Sequence, residues 1–206
     1  MLLPTKALPG AKSRLLAGFD AAESTNEAHA ALVLAIRSDT LAAAHRTPGV
    51  GRILVIKDRA ADDQPDAGVH VLVQSEPGLN NALREGAAMA AARWPDDGVA
   101  ALVGDLPALR PEDLDEALAA AAHHARAYVA DAAGTGTTLL TAGPGTELLP
   151  EFGAGSAARH ARTAAVLPAG RGLRQDVDTT EDLAAAAAIG LGPATRATVA
   201  AVLGPV

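Results

Sequence analysis

Two acidic segments and one basic segment hold the residues with the clearest chemical potential. An apolar run ends in Val103-Gly104-Asp105-Leu106-Pro107, where the proline stops any strand and leaves Asp105 at its carboxyl end. Open α/β sheets hold their ligands at that edge. A carboxylate there suits Mg²⁺, a hard cation that takes oxygen ligands and shares them with substrate phosphates. Asp105 could equally cap the turn that follows. Asp176-Val177-Asp178 puts two carboxylates at i and i+2, pointing the same way if the segment is extended. Their repulsion favours a cation between them, and together with Asp105 they could complete a Mg²⁺ site. Asp178 could instead cap a helix carrying Glu181 and Asp182 in its first turn, and that role is compatible with metal binding at Asp176.

The basic segment lies near the amino terminus. Lys6, Lys12 and Arg14 fall within Pro4 to Leu15, and Lys6 and Lys12 are two of only three lysines in the chain. A short strand followed by a loop of small residues and cations is a phosphate cradle in α/β proteins. It is not a Walker A loop, because the G-x-x-x-x-G-K-[ST] spacing is missing; a simple basic terminus has the same composition. Two further segments, Gly134-Thr135-Gly136-Thr137-Thr138 and Phe152-Gly153-Ala154-Gly155-Ser156, offer backbone N–H groups and hydroxyls. Both suit an anion such as a phosphate or carboxylate, and each alone also reads as turn glycine. Ser156 is placed to start a helix running through Arg159 and His160. His123-His124 would end a helix as favourable charge at its carboxyl terminus. Asp39 reads as a paired or solvated polar residue of a long helix.

Composition removes other classes of chemistry. There is no cysteine among the 206 residues, which excludes disulfides, thiolate metal sites and a cysteine nucleophile. No Gly-x-Ser-x-Gly elbow supports a hydrolase triad. The net charge of −7 and an aromatic content of 2% argue against nucleic-acid binding, which needs a basic surface and stacking rings. No signal peptide or membrane span is visible, so a cytoplasmic location is expected. Alanine fills about a quarter of the chain and Arg outnumbers Lys 14 to 3, a bias that fits a GC-rich genome.

The elements that must position these residues alternate. Buried parallel strands are expected at Arg52–Ile56, Val69–Gln74, Val99–Val103 and Ala127–Ala130. Helices are expected at Thr25–His45, at Asn80–Arg93, from Pro111 to about His124, from Thr179 or Thr180, and from near Pro193. The stretch from Ala133 to Gly155 breaks this rhythm and predicts a β-hairpin or an antiparallel insertion. The fold class is therefore α/β, a three-layer sandwich around a mostly parallel sheet with a small β-hairpin insertion. One domain over residues 1–206 is expected.

In their order along the chain, these pieces resemble the phospholactate and phosphoenolpyruvate guanylyltransferases of coenzyme F-420 biosynthesis. The matching segments are Pro4-x-Lys6 with Ala11-Lys12-Ser13-Arg14-Leu15, Leu79-Asn80-x-Ala82-Leu83, Gly104-Asp105-Leu106-Pro107, Asp131 through Gly134-Thr135-Gly136-Thr137, Phe152-Gly153 with Ser156-x-x-x-His160, and Gly172-Leu173-Arg174-x-Asp176-x-Asp178-Thr179. The resemblance implies a nucleotidyltransferase fold of the nucleotide-diphospho-sugar transferase type. It implies condensation of GTP with a phosphorylated three-carbon acid, releasing pyrophosphate. Asp105 and Asp176, with Asp178, are then the Mg²⁺ ligands. Lys6, Lys12, Ser13, Arg14 and Gly104 bind the nucleotide, with Asp105, Lys12 and Arg14 catalytic. Asn80 reads guanine or ribose, and Thr137, Gly153 and Ser156 bind the acid. The first strand is expected to be shorter than in relatives.

Phosphoenolpyruvate is the preferred acid, on the association of this composition with actinobacteria, and 2-phospho-L-lactate is the alternative. Another nucleotidyltransferase or glycosyltransferase on the same fold, and a non-catalytic nucleotide binder, are the remaining readings. The next transferase of the pathway is a candidate partner, and a homodimer is expected by frequency alone.

Overall fold

A computed structural model describes residues 1–5, 23–57 and 69–203. In chain order the elements are β1 (Leu2–Thr5), α1 (Glu23–Arg46), β2 (Leu54–Lys57), β3 (His70–Val73), α2 (Leu79–Arg93), β4 (Val99–Leu102), α3 (Pro111–Ala121), β5 (Arg126–Ala130), β6 (Thr137–Ala142), α4 (Ser156–His160), β7 (Ala165–Val166), α5 (Arg171–Arg174), α6 (Thr180–Ile189) and α7 (Pro193–Leu203). The seven strands form one sheet in the order β3-β2-β1-β4-β6-β5-β7. β1 pairs in parallel with β2 and β4, β2 with β3, and β5 with β7; β6 alone runs antiparallel to its neighbours β4 and β5. The expected antiparallel insertion is therefore β6, returning from β5 through the Asp131–Gly136 turn.

Burial explains which residues took up strand. β2, β4 and β6 lie inside the sheet with helices over both faces, and their side chains are buried almost without interruption. The edge strand β3 alternates instead. Successive side chains feed opposite cores. Leu3, Val55, Leu102, Val129 and Leu139 pack on one face with Leu41 and Ala44 of α1 and Leu114 of α3. Leu2, Ile56, Ala101, Tyr128 and Leu140 pack on the other with Leu83 of α2 and Ala157 of α4. Those two cores define the three layers.

Local signals set the helices. α3 opens on Pro111 with Glu112 and Asp113 in its first turn, and buries Leu114, Ala117 and Ala121 on one face. It ends at Ala121, short of the expected His124, so His123 and His124 sit in the following turn. α2 presses close enough on β2 that a Cβ on Gly86 would come within 2.4 Å of Ile56 Cδ1. β1 has four residues, as many as β2, β3 or β4, and pairs with β2 along its whole length.

The topology creates a crevice. The chain builds β1, β2 and β3 outward on one side, then returns to place β4 on the other side of β1. The strand order reverses between β1 and β4, and open α/β sheets bind ligands at such a switch point, at the carboxyl ends of the strands. At the opposite edge, a cavity of about 570 Å³ is lined by residues including Leu2, Leu54, Trp94, Val99 and Ala142. None of the acidic residues singled out from sequence lines it. No helix among the described residues is long and apolar enough to cross a membrane.

A third cluster fixes the acidic loops from behind. Leu32 and Ile36 of α1 pack with Ala108, Val177, Leu183, Ala186 and Leu191. Asp39, buried within α1, accepts hydrogen bonds from the N–H groups of Ala194 (3.1 Å) and Thr195 (2.7 Å) and so caps α7. Asp39→Ala should leave those donors without their carboxylate and lower the unfolding free energy by about 1–2 kcal/mol. Urea denaturation would show this as a lower midpoint at unchanged slope; an unchanged midpoint would remove the cap from the list of what holds α7.

Candidate active site

Asp105 and Asp176 are brought together by main chain. After β4 ends, the loop at Gly104-Asp105-Leu106-Pro107 is tied to α1 by the Leu106 N–H, which donates to Thr40 Oγ1 at 3.0 Å. The Val177 N–H then donates to the Asp105 carbonyl at 3.1 Å. Val177 is fully buried in the third cluster. On either side of it Asp176 is half-buried and Asp178 is exposed. Close approach also places α5 beneath the loop: a Cβ on Gly172 would meet the Ala108 carbonyl oxygen at 2.3 Å. Only glycine allows this contact.

The helix after the acidic pair is capped by Thr179. Its hydroxyl accepts from the Asp182 N–H at 3.2 Å, and the Asp182 carboxylate accepts from the Thr179 N–H at 2.9 Å, a reciprocal capping box. The alternative in which Asp178 caps this helix is thus corrected, and Asp178 stays exposed beside Asp176.

The site is strongly acidic. Burial, then the neighbouring carboxylates of Asp105, Asp178 and Asp131, push the Asp176 carboxyl up from 3.8 to about 7. Such a donor set fits a divalent hard cation, whose charge would relieve the repulsion. Among the described residues, no three His, Asp or Glu side chains converge into a closed ligand set. An open set of one or two carboxylates is the form that leaves positions for phosphate oxygens and water.

Asp131 and Arg174 were not assigned roles from sequence. Asp131 accepts from the N–H groups of Thr135 (2.9 Å) and Gly136 (2.7 Å) and so shapes the turn into β6. The Arg174 guanidinium donates to the carbonyls of Ala130 (3.2 Å) and Asp131 (2.8 Å), and so holds the end of β5. Its spacing of two residues before Asp176 was the available signal.

A neutral polar cluster lies at the same edge of the sheet as the acidic one. Thr137 opens β6 and Ser156 opens α4; both are buried, and Ser156 Oγ donates to Thr137 Oγ1 at 3.2 Å. Gly153 holds a φ of +124°, a conformation that favours glycine, in the loop before α4. That loop is clamped from several sides. Arg159 donates to the carbonyls of Glu151 and Ala154. Arg84 reaches the Pro150 carbonyl. Asn80 accepts from the Phe152 N–H at 2.8 Å and donates to its carbonyl at 3.1 Å. Asn80 was expected to read guanine or ribose; its amide oxygen and one amide N–H are instead engaged by Phe152. Burial holds the His160 imidazole below its ordinary pKa, with Glu151 opposing and Arg159 adding to the shift.

Asp105, Asp131, Asp176, Thr137 and Ser156 thus meet at one edge of the sheet. Lys6, Lys12, Ser13 and Arg14 lie outside the described residues. Gly104 sits at the start of the Asp105 loop.

The raised Asp176 carboxyl has a consequence for the metal-free protein. Asp176 takes its proton more tightly when folded, so its contribution to stability is complete below pH 3.8 and is lost as pH rises through about 7. With a chelator present, Asp176→Asn should stabilise at pH 8 by about 1–2 kcal/mol after allowance for solvent screening, and the gain should vanish toward pH 4. A difference between variant and parent that does not vary with pH would contradict the carboxylate cluster.

Known proteins resemble this chain in sequence and in fold. The model of the family described as "Guanylyl transferase CofC like" matches residues 1–191. A protein of Streptomyces coelicolor named phosphoenolpyruvate guanylyltransferase is 48% identical over 98% of this chain and 96% of its own length. One of the same name from Geodermatophilus obscurus is 49% identical over 96% of this chain and 92% of its own. Among solved structures, a candidate nucleotide-diphospho-sugar transferase of Desulfovibrio desulfuricans G20 superposes with a TM-score of 0.68 at 19% identity, over 88% of this chain and 83% of that one. Rv0371c of Mycobacterium tuberculosis, crystallised with manganese, superposes with a TM-score of 0.53 at 19% identity, over 90% of this chain and 96% of that one. The fold is thus similar to that of a nucleotide-diphospho-sugar transferase-like protein, and the chain belongs to the CofC-like guanylyl transferase family.

Proposed function

We propose that this chain is a phosphoenolpyruvate guanylyltransferase, acting in the biosynthesis of coenzyme F-420. It condenses GTP with phosphoenolpyruvate to give enolpyruvyl-2-diphospho-5'-guanosine and pyrophosphate. The observation that carries the reading is the meeting of Asp105 and Asp176 beside the Thr137–Ser156 donors, in a chain whose near full-length relatives bear that name.

The chemistry asks for positioning and charge neutralisation. A phosphate oxygen of the acid attacks the α-phosphorus of GTP, forming one P–O bond. The bond between the α-phosphorus and the bridging oxygen breaks, and pyrophosphate leaves with the electron pair. The attacking oxygen is already ionised at neutral pH, so no strong general base is needed. Asp105 and Asp176, with Asp178 beside them, would hold Mg²⁺. Bound there, the ion would neutralise charge on the α-phosphate and order the two phosphates for in-line attack. Lys6, Lys12, Ser13 and Arg14 are assigned to the triphosphate, with Lys12 and Arg14 stabilising the leaving pyrophosphate. Gly104 lets the nucleotide approach the Asp105 loop. Thr137 and the Gly153 N–H bind the acid, with Ser156 in the same site giving its hydroxyl proton to Thr137 Oγ1, and the second amide N–H of Asn80 is the donor left for the nucleotide. Donors fixed before substrate arrives need not reorient in the transition state.

The reading carries with it one domain over residues 1–206, a cytoplasmic location and delivery of the product to the next transferase; a homodimer is the expected assembly. The test is pyrophosphate release from GTP with Mg²⁺ and either phosphoenolpyruvate or 2-phospho-L-lactate, with the product identified by mass spectrometry. Turnover is expected with phosphoenolpyruvate; turnover with phospholactate alone would overturn the choice of acid, and silence with both would overturn the reaction. Asp105→Asn should cut kcat by at least about a hundredfold in a folded protein. Normal turnover in that variant would remove Asp105 from the site. Ser156→Ala should raise KM for the acid by about tenfold, because the Ser156 hydroxyl gives its proton to Thr137 Oγ1 and so holds the threonine donor in place, and leave KM for GTP within twofold.

A further inference from the structure

His160 is wholly buried, titratable and unused by the proposed chemistry. Its two ring nitrogens have different partners. Nε2 lies 2.9 Å from the Glu151 N–H, and Nδ1 lies 2.8 Å from Thr137 Oγ1. A backbone N–H only donates, so Nε2 must be the accepting nitrogen. In a neutral imidazole the ring proton then sits on Nδ1 and is given to Thr137. Ser156 Oγ also donates to Thr137 Oγ1. Both lone pairs of the threonine oxygen are therefore engaged, and the only capacity left to that hydroxyl is to donate its own proton.

We infer that His160 is a positioning residue that makes Thr137 an obligate hydrogen-bond donor toward the anionic acid. The inference rests on the assignment of Thr137, Gly153 and Ser156 to that acid. The same ring reaches all three groups. It bonds Thr137 directly. It holds Glu151, two residues before Gly153, through the second nitrogen. It also shares α4 with Ser156, four residues and one helical turn away. Tyr128 and Phe152 flank the imidazole, with ring centroids 6.1 Å and 5.1 Å away, and keep its plane from turning. A threonine hydroxyl left to itself can rotate and accept as readily as donate. With its oxygen filled, it favours a phosphate or carboxylate oxygen and disfavours a ligand that offers a hydroxyl or amine at that place.

The two sides of the ring can be separated by substitution. Glutamine places its amide oxygen near the position of Nε2 and can still accept from Glu151, but it loses the donor to Thr137. Asparagine places its amide nitrogen near Nδ1 and retains that donor. His160→Gln should raise KM for phosphoenolpyruvate by about tenfold, with KM for GTP within twofold and thermal unfolding little changed. His160→Asn should lie closer to the parent. The deciding readout is a double-mutant cycle with Thr137→Val. If His160 acts through Thr137, His160→Gln adds nothing to KM for the acid once the hydroxyl is gone.

Effects that multiply in the cycle, or that raise both KM values equally, would reduce His160 to a packing residue and overturn the inference. An unchanged KM in His160→Gln while Thr137→Val is impaired would overturn it while leaving the acid site standing. If Thr137→Val itself left KM for the acid unchanged, the acid site would be misassigned and this inference would fall with it. Should His160→Gln not fold, the His160→Asn arm carries the test. Retained KM for the acid supports the donor role, and a tenfold rise overturns it.

Discussion

One backbone hydrogen bond organises the acidic half of this site. The Val177 N–H donates to the Asp105 carbonyl, and the Val177 side chain is sunk among Leu32, Ile36, Leu183 and Leu191. Carboxylates crowded together repel, and nothing in their own chemistry would gather them. The apolar anchor of Val177 supplies the free energy that holds Asp176 beside Asp105 against that repulsion. Burial of the valine and the raised carboxyl of Asp176 are thus two sides of one arrangement. A site of this kind is unfavourable when empty and becomes favourable when a cation arrives, which is the general form of strain kept at a functional centre.

The rest of the fold serves that juxtaposition. α1 holds the Asp105 loop through Thr40 and caps α7 through Asp39. α7 and α6 in turn close the apolar cluster around Val177. On the other side of the crevice, β6 reverses direction and brings Thr137, its first residue, to the edge where the parallel strands end. A parallel strand in that place would have put its carboxyl end there. The reversal is what lets the start of a buried strand, hydroxyls included, face the same crevice as Asp105.

The two halves differ in electrostatic character, and the difference divides the labour. The acidic half suits metal and, through it, phosphate charge. The neutral half, Thr137, Ser156, Gly153 and His160, offers donors without net charge and is preorganised by a dense set of loop contacts from Asn80, Arg84 and Arg159. Donors fixed in advance discriminate by shape and by hydrogen-bond direction. A cluster of flexible lysines would attract any anion.

Much of this was legible in the residues. Periodicity and turn signals located β2, β3, β4 and β5 and the helices α1, α2, α3, α6 and α7 to within a few residues, because continuous apolar runs, proline at a first turn and a threonine ahead of two acidic residues are local instructions. Spacing and order also singled out Asp105, Asp176, Thr137 and Ser156. Three things were out of reach. The two-residue β7 and the four-residue α5 are too short to carry a period. The engagement of Asn80 with Phe152 and the linking of His160 to Thr137 and Glu151 join residues 72, 23 and 9 positions apart. A hydrogen bond between side chains distant in sequence depends on where two separate elements come to rest, and only packing settles that. Sequence alone determined which residues could do chemistry and which stretches would be strand or helix. Tertiary structure decided which of those residues meet, which way β6 runs and which lone pairs are already taken, because these depend on the burial of apolar faces against one another.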